Sequence, residues 1–466
     1  MSARRLLGRA SLVAAALLAA LLGTELVLRA AGAVSAPPLF VPGPDGRLHV
    51  NPEHSEIVDV SVDAHPSRLR IVWVGDSTVL GVPYNPLLSP PKWLQWVLQS
   101  RGVPAEVVGV AGTGLDSPQI AELVRGVLEL HPDAVVVTTG HNEYLNVGPA
   151  LHPHWWHRFA LGRRLEEALS PQPGPPGPGE EPDHQAITAR FAVQLQLMVA
   201  ACADDGVPLL FTAPVCNLAD MPPVLGGAAP GGDADAAWQA GRSALAAGDV
   251  AAARADFTQA RDLDRWPHRA TSPLCAELRA RAPHLVPTDS LFEQASASVV
   301  PGADLFVDHC HPDAAGALVL ALAVADALED SGIVPPTGHR GEAPELVTLA
   351  AQAGMTADVE ARKRAETGRA FTLFALHTGH HGRMAEAAAA RLDKAPPGVF
   401  LPGETQAIHA LLALLRGDVG EARARLDEAR RISPQILSTL AQGYAGFPWI
   451  RAAFEQNGLS LDAPGP

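Results

Sequence analysis

Cysteine is scarce in this sequence: its 466 residues hold only four, Cys202, Cys216, Cys275 and Cys310. None of them has CxxC spacing, so a structural zinc site of the usual kind is unsupported, and every disulfide pairing among the four stays open. Basic residues are also few, with 35 Lys and Arg against 50 Asp and Glu and a net charge of −15. A field of this sign repels phosphate backbones, so we expect no nucleic-acid partner.

The composition of a disordered chain is missing as well. Apolar residues make up 47% of the chain and charged residues 18%, which excludes bulk disorder and is enough for a sizeable core. The length fits about three domains of ordinary size or, equally well, two larger ones. The 42 glycines and 42 prolines predict long, interrupted loops.

The N-terminus has the pattern of an export signal. An apolar run, residues 10–23, follows three arginines within the first nine residues, and it reaches the roughly 20 residues that a bilayer requires if it extends to Leu28. Pro37 and Pro38 directly follow the candidate cleavage stretch and disfavour processing there. We therefore predict that residues 1–35 form an uncleaved membrane anchor, with the rest of the chain outside the cytoplasm. A buried helix is the weaker alternative, because the basic flank is one-sided.

The middle of the chain alternates between two hydrophobic periods. Residues 36–68 lack clear periodicity and are interpreted as a linker or an irregular lead-in strand. Beyond them, β-branched runs alternate with stretches of helical spacing, which predicts a parallel sheet with helices on both faces and an α/β class. The expected strands are 71–74, 105–110, 134–139 and 208–212, with a fifth near 285–288. The expected helices are 92–101, 118–130 and 187–204.

Two segments interrupt this alternation. Residues 148–183 are too rich in proline for regular structure, which predicts a loop that is a candidate lid. The second interruption, about 218–283, contains a unit that recurs near the C-terminus: residues 248–263 and 417–432 are identical at eight of sixteen positions. A weaker copy begins at Gly382.

This spacing resembles tetratricopeptide helix pairs, which repeat about every 34 residues. We predict a helical repeat-like insertion at about 230–283 and a helical, tetratricopeptide-like C-terminal domain over 342–466. The alternative is that alanine-rich helical hairpins imitate the motif by composition alone.

A candidate nucleophile follows the first strand. The strand ends at Gly75-Asp76-Ser77, and open α/β sheets bind ligands at the carboxyl ends of their strands. A serine hydroxyl needs a neighbouring base that a third group orients. Asp308 and His311, in the sequence DHCHP, have the spacing for one loop to supply both.

Donors for a developing oxyanion are expected at the other strand ends. The second strand is followed by GVAGTGLDS, where Gly112 or Gly114 permits close backbone approach, and the third by GHNE, which contains Asn142. The backbone N–H groups of Ser77 and Gly112 and the amide of Asn142 are the predicted donors.

In this order, the GDS, glycine, GHNE and DHCH blocks resemble the SGNH hydrolases, also called GDSL esterases and lipases. The resemblance covers about residues 69–326, and we predict a hydrolase domain over 69–331 with the repeat-bearing segment as an insertion. It implies a flavodoxin-like three-layer sandwich, and ester hydrolysis or acyl transfer at Ser77 with Asp308 and His311 as its partners. GHNE departs from the family's more frequent Asp after the Asn, and Val110 stands before the glycine block where Asn is frequent.

Other histidines and cysteines are weighed and mostly set aside. His309 is the alternative base, but it is adjacent to Asp308. A metal on the histidines of the 148–183 loop lacks carboxylate or cysteine ligands at suitable spacing, so no metal or cofactor is expected. Cys310 is interpreted as an inert packed thiol, with a disulfide to Cys275 as the alternative. The histidines of this loop, interpreted as a pocket rim, are His152, His154 and His157. Trp155 and Trp156 beside them are interpreted as packing of the loop, with stacking against a sugar face as the alternative.

The sequence thus predicts an exported, membrane-anchored serine esterase acting on an acylated glycan or a small ester. An O-acyltransferase of the same fold is the first alternative, because both share an acyl-serine intermediate. An inactive helical scaffold that binds a partner protein through its repeats is the second. The substrate, the acyl chain and the oligomeric state are not specified by these motifs.

Overall fold

The computed structural model describes residues 20–27, 38–145, 181–342, 346–378, 381–443 and 448–461. Its strands are β1 (Phe40–Pro42), β2 (Leu48–Val50), β3 (Ser61–Val62), β4 (Leu69–Gly75), β5 (Ala105–Ala111), β6 (Ala134–Thr138), β7 (Leu209–Thr212), β8 (Ala228–Ala229), β9 (Gly232–Asp233) and β10 (His284–Val286).

Helices make up the rest of the regular structure, and a 3₁₀ turn at Leu128–Leu130 extends the third of them. In the order of the chain they are α1 (Ser77–Leu80), α2 (Pro90–Ser100), α3 (Ser117–Val127), α4 (His184–Asp204), α5 (Ala234–Ala246), α6 (Val250–Asp262), α7 (Ser272–Arg281), α8 (Thr288–Ala295), α9 (Ala314–Asp330), α10 (Leu346–Gln352), α11 (Ala357–Thr378), α12 (His381–Leu392), α13 (Glu404–Leu415), α14 (Val419–Ile432), α15 (Ile436–Gly443) and α16 (Pro448–Gln456).

Five parallel strands form the central sheet in the order β5-β4-β6-β7-β10. Counted along the chain this is the order 2-1-3-4-5, the doubly wound order of flavodoxin-like folds. The predicted α/β three-layer fold is confirmed. Gly75 pairs with Ala111 on one side and with Thr138 on the other, so β4, β5 and β6 end level with one another. Polar residues that follow these ends therefore gather at one edge.

Side-chain alternation in β4 explains the three layers. Ile71 and Trp73 belong to the apolar core beneath α2 and α9, whereas Val72 and Val74 belong to the core beneath α3 and α4. All four side chains are fully buried. A strand that is apolar on both faces requires a helical layer on each side of the sheet.

Helix boundaries differ from the sequence expectation by a few residues, for local reasons. Helix α2 begins at Pro90, ahead of the predicted 92, because Ser89 caps it by accepting the Lys92 N–H and proline suits the first turn of a helix. The predicted 118–130 helix is α3, and its last turn tightens into the 3₁₀ segment.

Residues 38–68, which lie within the segment interpreted as a linker or lead-in, contain the small antiparallel sheet β1-β2-β3. Phe40, Val50 and Val62 are buried in the same core as Val72. The fully buried Arg70 ties this sheet down, since it donates hydrogen bonds to the carbonyl of Asp63 and to the Glu106 carboxylate. The segment thus packs on the α/β unit.

The sequence repeat coincides with a repeated local structure. Gly248 and Gly417 both have φ near +80°, a conformation that favours glycine. The next residue, Asp249 or Asp418, caps the following helix by accepting a backbone N–H three residues on. Helices α5 and α6 form one hairpin, and α13 and α14 form another. The buried positions correspond as well: Ala253, Phe257 and Ala260 in α6, and Ala422, Leu426 and Ala429 in α14.

Within the described residues, one helix, α4, is long and apolar enough to cross a membrane, with a mean hydropathy of 1.5. It packs Phe191, Leu195 and Met198 into the core of the sheet. Most of the N-terminal segment predicted as an anchor lies outside the described residues. Its described part, the helix at 20–27, exposes Leu21, Leu22, Leu26 and Val27.

Candidate active site

Ser77 lies at the carboxyl end of β4, where the strand turns into α1. Gly75 makes this turn feasible, because a Cβ at that position would lie 2.4 Å from Val79 Cγ2 and 2.8 Å from the Thr138 carbonyl oxygen. Asp76 caps α1 by accepting the Thr78 N–H at 2.9 Å. Ser77 is then the first residue of the helix, a position whose backbone N–H has no acceptor within the helix.

The segment at residues 302–313, named here the 302–313 loop, carries the candidate base. A single bridge between Phe306 and Pro312 closes it, and the Val307 N–H donates to the His311 carbonyl at 3.0 Å. Inside the loop, Asp308 Oδ1 accepts the backbone N–H groups of Cys310 at 3.0 Å and of His311 at 2.8 Å. These bonds fix the Asp308 carboxylate beside the His311 ring.

The structure brings the three predicted catalytic side chains together. Asp308 Oδ2 lies 2.6 Å from His311 Nδ1, and His311 Nε2 lies 2.7 Å from Ser77 Oγ. Asp308 and His311 are three residues apart, whereas Ser77 precedes His311 by 234 residues in the chain. All three residues are buried. This is the hydrogen-bonded order that a serine nucleophile, its base and an orienting carboxylate require.

Electrostatics separates His311 from the neighbouring histidines. Burial lowers the pKa of His311, but the Asp308 charge and hydrogen bond outweigh this and leave its pKa above 6.5. Burial keeps the pKa of His309 well below 6.5 and lowers that of His141 to about 3. Among these three rings, His311 alone therefore has a pKa raised toward the range of a general base at neutral pH.

The carboxylate of Asp308 is held in its charged form. Burial acts to raise its pKa, but the nearby His311 and His309 and the hydrogen bonds from His311 outweigh this, so the pKa of Asp308 lies well below its usual range. The carboxylate is thus an acceptor toward the His311 Nδ1–H at all physiological pH values.

Asn142 follows β6 and reaches the same edge as Ser77. Its Nδ2 donates to Asp76 Oδ2 at 3.1 Å and to the Leu115 carbonyl at 2.9 Å. Asp76 therefore joins the Ser77 turn to Asn142. Burial raises the pKa of the Asp76 carboxyl. Both hydrogens of the Asn142 amide have acceptors here, so a role at an oxyanion requires one of these bonds to open or to be shared. The predicted role of Asn142 stays a prediction.

Gly112 and Gly114 need glycine for different reasons. A Cβ on Gly112 would lie 2.2 Å from the carbonyl oxygen of Glu56, which crosses the end of β5 through a bridge between Ile57 and Gly112. Gly114 instead has φ of +73° and open space around it. The choice of Gly112 as backbone donor remains a prediction, because these facts explain the glycine and not its hydrogen-bonding role.

The 302–313 loop also clusters metal-binding side-chain types. One ligand atom from each of Asp308, His309, Cys310 and His311 lies within 4.8 Å of the others. The hydrogen bonds described above already use both Asp308 oxygens and both His311 nitrogens. A metal bound through His311 Nε2 would have to displace the serine contact.

The cysteines and the aromatic loop have different outcomes. All four cysteines are buried and none forms a disulfide. Cys310 is therefore a packed free thiol, and the alternative disulfide between Cys310 and Cys275 is not formed. Burial raises the pKa of the Cys275 thiol to about 11. The histidines and tryptophans of the 148–183 loop, from His152 to His157, lie outside the described residues.

Comparison with known proteins gives structural likenesses only. No protein-family model matches the chain, and no curated protein matches it. Among solved structures, similar chains include a GDSL-like lipase from Bacteroides thetaiotaomicron (13% identity, 56% of this chain and 88% of that one, TM-score 0.30). A lipase/acylhydrolase from Enterococcus faecalis has 12% identity over 56% of this chain and 96% of that one, with a TM-score of 0.32.

A third similar structure is AlinE4, an SGNH-hydrolase family esterase, with 18% identity over 57% of this chain and 98% of that one and a TM-score of 0.27. At these identities and TM-scores the likeness carries no assignment of activity. The function proposed below stands on the site's own geometry.

Several residues around the site were not found by sequence reasoning. Glu56 and Ile57 cross the end of β5 from a segment without periodicity. The Asn217 N–H donates to the His309 carbonyl at 3.0 Å, and the His268 ring lies 6.2 Å from the His309 ring. Both come from the stretch after β7, where no motif marks them.

Proposed function

We propose that this protein is a serine esterase that hydrolyses carboxylic esters through an acyl-serine intermediate. The observation that carries the proposal is the continuous hydrogen-bonded chain from Asp308 through His311 to Ser77, with contacts of 2.6 and 2.7 Å. An Asp-His pair that only forms a surface ion pair is exposed to solvent. Here both side chains are buried and lie beside a serine at the carboxyl edge of a doubly wound sheet, where such folds bind ligands.

The first half of the proposed reaction forms the acyl-enzyme. Ser77 Oγ attacks the ester carbonyl carbon while His311 Nε2 takes the hydroxyl proton. The negative charge that forms on the carbonyl oxygen is stabilised by backbone N–H groups at Ser77 and Gly112 and by the Asn142 amide, which shares or gives up one of its two present hydrogen bonds in this step. The C–O bond to the alcohol then breaks, and His311 returns the proton to the departing oxygen.

The second half releases the acid. Water gives a proton to His311 and attacks the acyl carbon, and Ser77 leaves with the proton that His311 holds. Asp308 stays ionised throughout and stabilises the imidazolium in both halves. If a sugar hydroxyl replaces water in this step, the same residues perform O-acyl transfer, so product analysis with glycan acceptors separates the two activities.

Chromogenic acetyl and butyryl esters test the proposal. The wild type is expected to release the alcohol, and Ser77→Ala, which removes only the hydroxyl oxygen, is expected to lose activity by several orders of magnitude. His309→Gln is the matched control, since it replaces a buried imidazole adjacent to Asp308 that the mechanism does not use as base, and it should retain activity. Equal rates in the wild type and Ser77→Ala would exclude the mechanism.

We extend the proposal to location: residues 1–35 anchor the enzyme and leave the 69–331 unit outside the cytoplasm. The arginines ahead of the apolar run support this orientation. The exposed leucines of the 20–27 helix agree with it. Fractionation of cells followed by protease treatment of intact spheroplasts tests it, and recovery of a protected or freely soluble chain would oppose it.

A helical-repeat scaffold is the second candidate function, and one observation favours it. Helices α6 and α14 share their glycine turn, their aspartate cap and their buried positions, which is the regularity that tetratricopeptide-like repeats use to present a binding surface. The buried Ser77 contact argues against an inactive hydrolase unit. Ester turnover by the wild type would exclude a function as scaffold alone.

A further inference from the structure

The 302–313 loop has little regular structure of its own. It runs from the turn after α8 to the start of α9, and its internal support is one bridge, a few turns and the two N–H donors to Asp308. Outside it, Phe306 packs into the core of the sheet and the Asn217 N–H donates to the His309 carbonyl. A base that must lie within hydrogen-bond distance of Ser77 needs tighter support than such a loop supplies by itself. Contacts from other elements must therefore hold it.

Arg364, on α11, contacts both ends of the loop. Its guanidinium forms an ion pair with the buried Asp313 and donates a hydrogen bond to the Ala303 carbonyl at 3.3 Å. Asp313 is also the cap of α9, where it accepts the Gly316 N–H at 2.7 Å. Arg364 thereby joins the first and last turns of the loop to one helix.

Arg391, on α12, contacts the centre of the loop. Its Nε donates to the Val307 carbonyl at 3.1 Å, one residue before Asp308. The Phe371 ring, 3.9 Å from the guanidinium, supports it from α11. Burial lowers the pKa of Arg391, and the Asp308 charge opposes this effect only in part.

The two arginines come from one packed helical hairpin. Helices α11 and α12 pack together as a hairpin. The apolar core of the C-terminal helices includes Phe371 together with Met221 and Val224 from the stretch after β7. Movement of the hairpin relative to the sheet would therefore disturb a shared core, which makes the hairpin a fixed support for the loop.

We propose that Arg364 and Arg391 are positioning residues, through which the C-terminal helical hairpin α11–α12 holds the 302–313 loop so that His311 stays on Ser77. The inference rests on the proposed esterase function. It assigns the C-terminal helices to the active site, as a structural part of it, where the sequence predicts a separate repeat domain.

Substitution of the arginines in the full-length chain tests this. Arg364→Met and Arg391→Met keep a long side chain and remove the charge and the donors. Because a small displacement of reacting groups costs up to about a hundredfold in rate, we expect kcat to fall by roughly 10- to 100-fold with KM nearly unchanged. Arg362→Met on α11 is the matched control, since Arg362 pairs with Asp358 one turn away. It should keep the wild-type kcat.

Conservative variants separate positioning from general stability. Arg391→Lys keeps a charged donor for the Val307 carbonyl, so its kcat should be close to that of the wild type. It also keeps the test usable if Arg391→Met folds poorly. Fluorophosphonate titration counts the competent serines in each preparation, so kcat is expressed per reactive site. A role in stability alone would lower Tm and the number of reactive sites but leave kcat per site unchanged, and that result would overturn the inference.

The titration also distinguishes this inference from the function on which it rests. If the wild type does not react with the probe at all, the esterase proposal fails. If the wild type reacts and both methionine variants match its kcat per reactive site, the esterase proposal stands and the positioning role is refuted.

Discussion

Replacement of Asp308 by asparagine tests how the site fixes the His311 tautomer. Asp308 Oδ1 accepts two backbone N–H groups, and Oδ2 accepts the His311 Nδ1–H at 2.6 Å. In Asp308→Asn the remaining oxygen is needed for the two backbone donors, so the new NH₂ faces His311 Nδ1. That nitrogen must then accept, which moves the ring proton to Nε2, where it faces Ser77 Oγ.

A proton on Nε2 prevents His311 from accepting the serine proton. The same tautomer change in the well-studied serine protease triad lowers kcat by about 10⁴, which we take as the expected loss here. In free energy this corresponds to about 5 kcal/mol of lost transition-state stabilisation. Hydrolysis of an activated acetyl ester measures it, with Tm as the folding control. Activity close to the wild type in a folded variant would refute the orienting role of Asp308.

The pH profile of the same variant gives a second, signed expectation. His311 must be neutral to act as base, so the wild-type kcat/KM should rise with pH through a pKa above 6.5, because Asp308 raises the pKa of His311. Asp308→Asn removes the charge and leaves burial, which lowers the pKa. The residual activity should therefore rise at a lower pH than in the wild type. A shift of this limb to higher pH would contradict the assigned electrostatics.

The remaining predictions concern the surroundings of the site. Burial, together with the Asp116 charge, raises the pKa of Glu143 from 4.5 to about 7. The stability that its bound proton contributes is therefore full below pH 4.5 and declines as the pH rises toward 7. Glu143→Gln should flatten the dependence of Tm on pH across that window, and an unchanged slope would oppose this. Gly112→Ala should lower the unfolding free energy by about 1–3 kcal/mol, because its Cβ would overlap the Glu56 carbonyl, and urea titration measures the loss. Asn142→Ala should retain slow turnover, because loss of one oxyanion donor raises the activation free energy by roughly 3 to 4 kcal/mol and lowers kcat accordingly. An unreduced kcat would remove Asn142 from the oxyanion site.

The sheet could be predicted from the sequence because its signal is local. A strand buried on both faces, such as β4, must be apolar at consecutive positions, and a polar residue directly after it marks the carboxyl end. Ser77 and Asn142 were found in this way, as polar positions after buried strands. The Asp308 to His311 spacing is equally local, since both lie in one tight loop.

The supporting contacts could not be predicted, because they join positions that are distant in the chain and ordinary in type. Arg364 and Arg391 lie on alanine-rich helices among several other arginines, and no periodicity distinguishes a side chain that reaches the 302–313 loop from one exposed to solvent. Glu56 contributes only its carbonyl oxygen, which any residue type supplies. Specific packing of this kind is determined by the tertiary fold and leaves no motif in the sequence.

Mapping the site of fluorophosphonate attachment tests the central claim most directly. Mass spectrometry of the labelled, digested wild type should place the adduct on the Ser77 peptide, and labelling should disappear in Ser77→Ala and slow greatly in His311→Ala. An adduct at another residue, or none on a folded wild-type protein, would contradict the account.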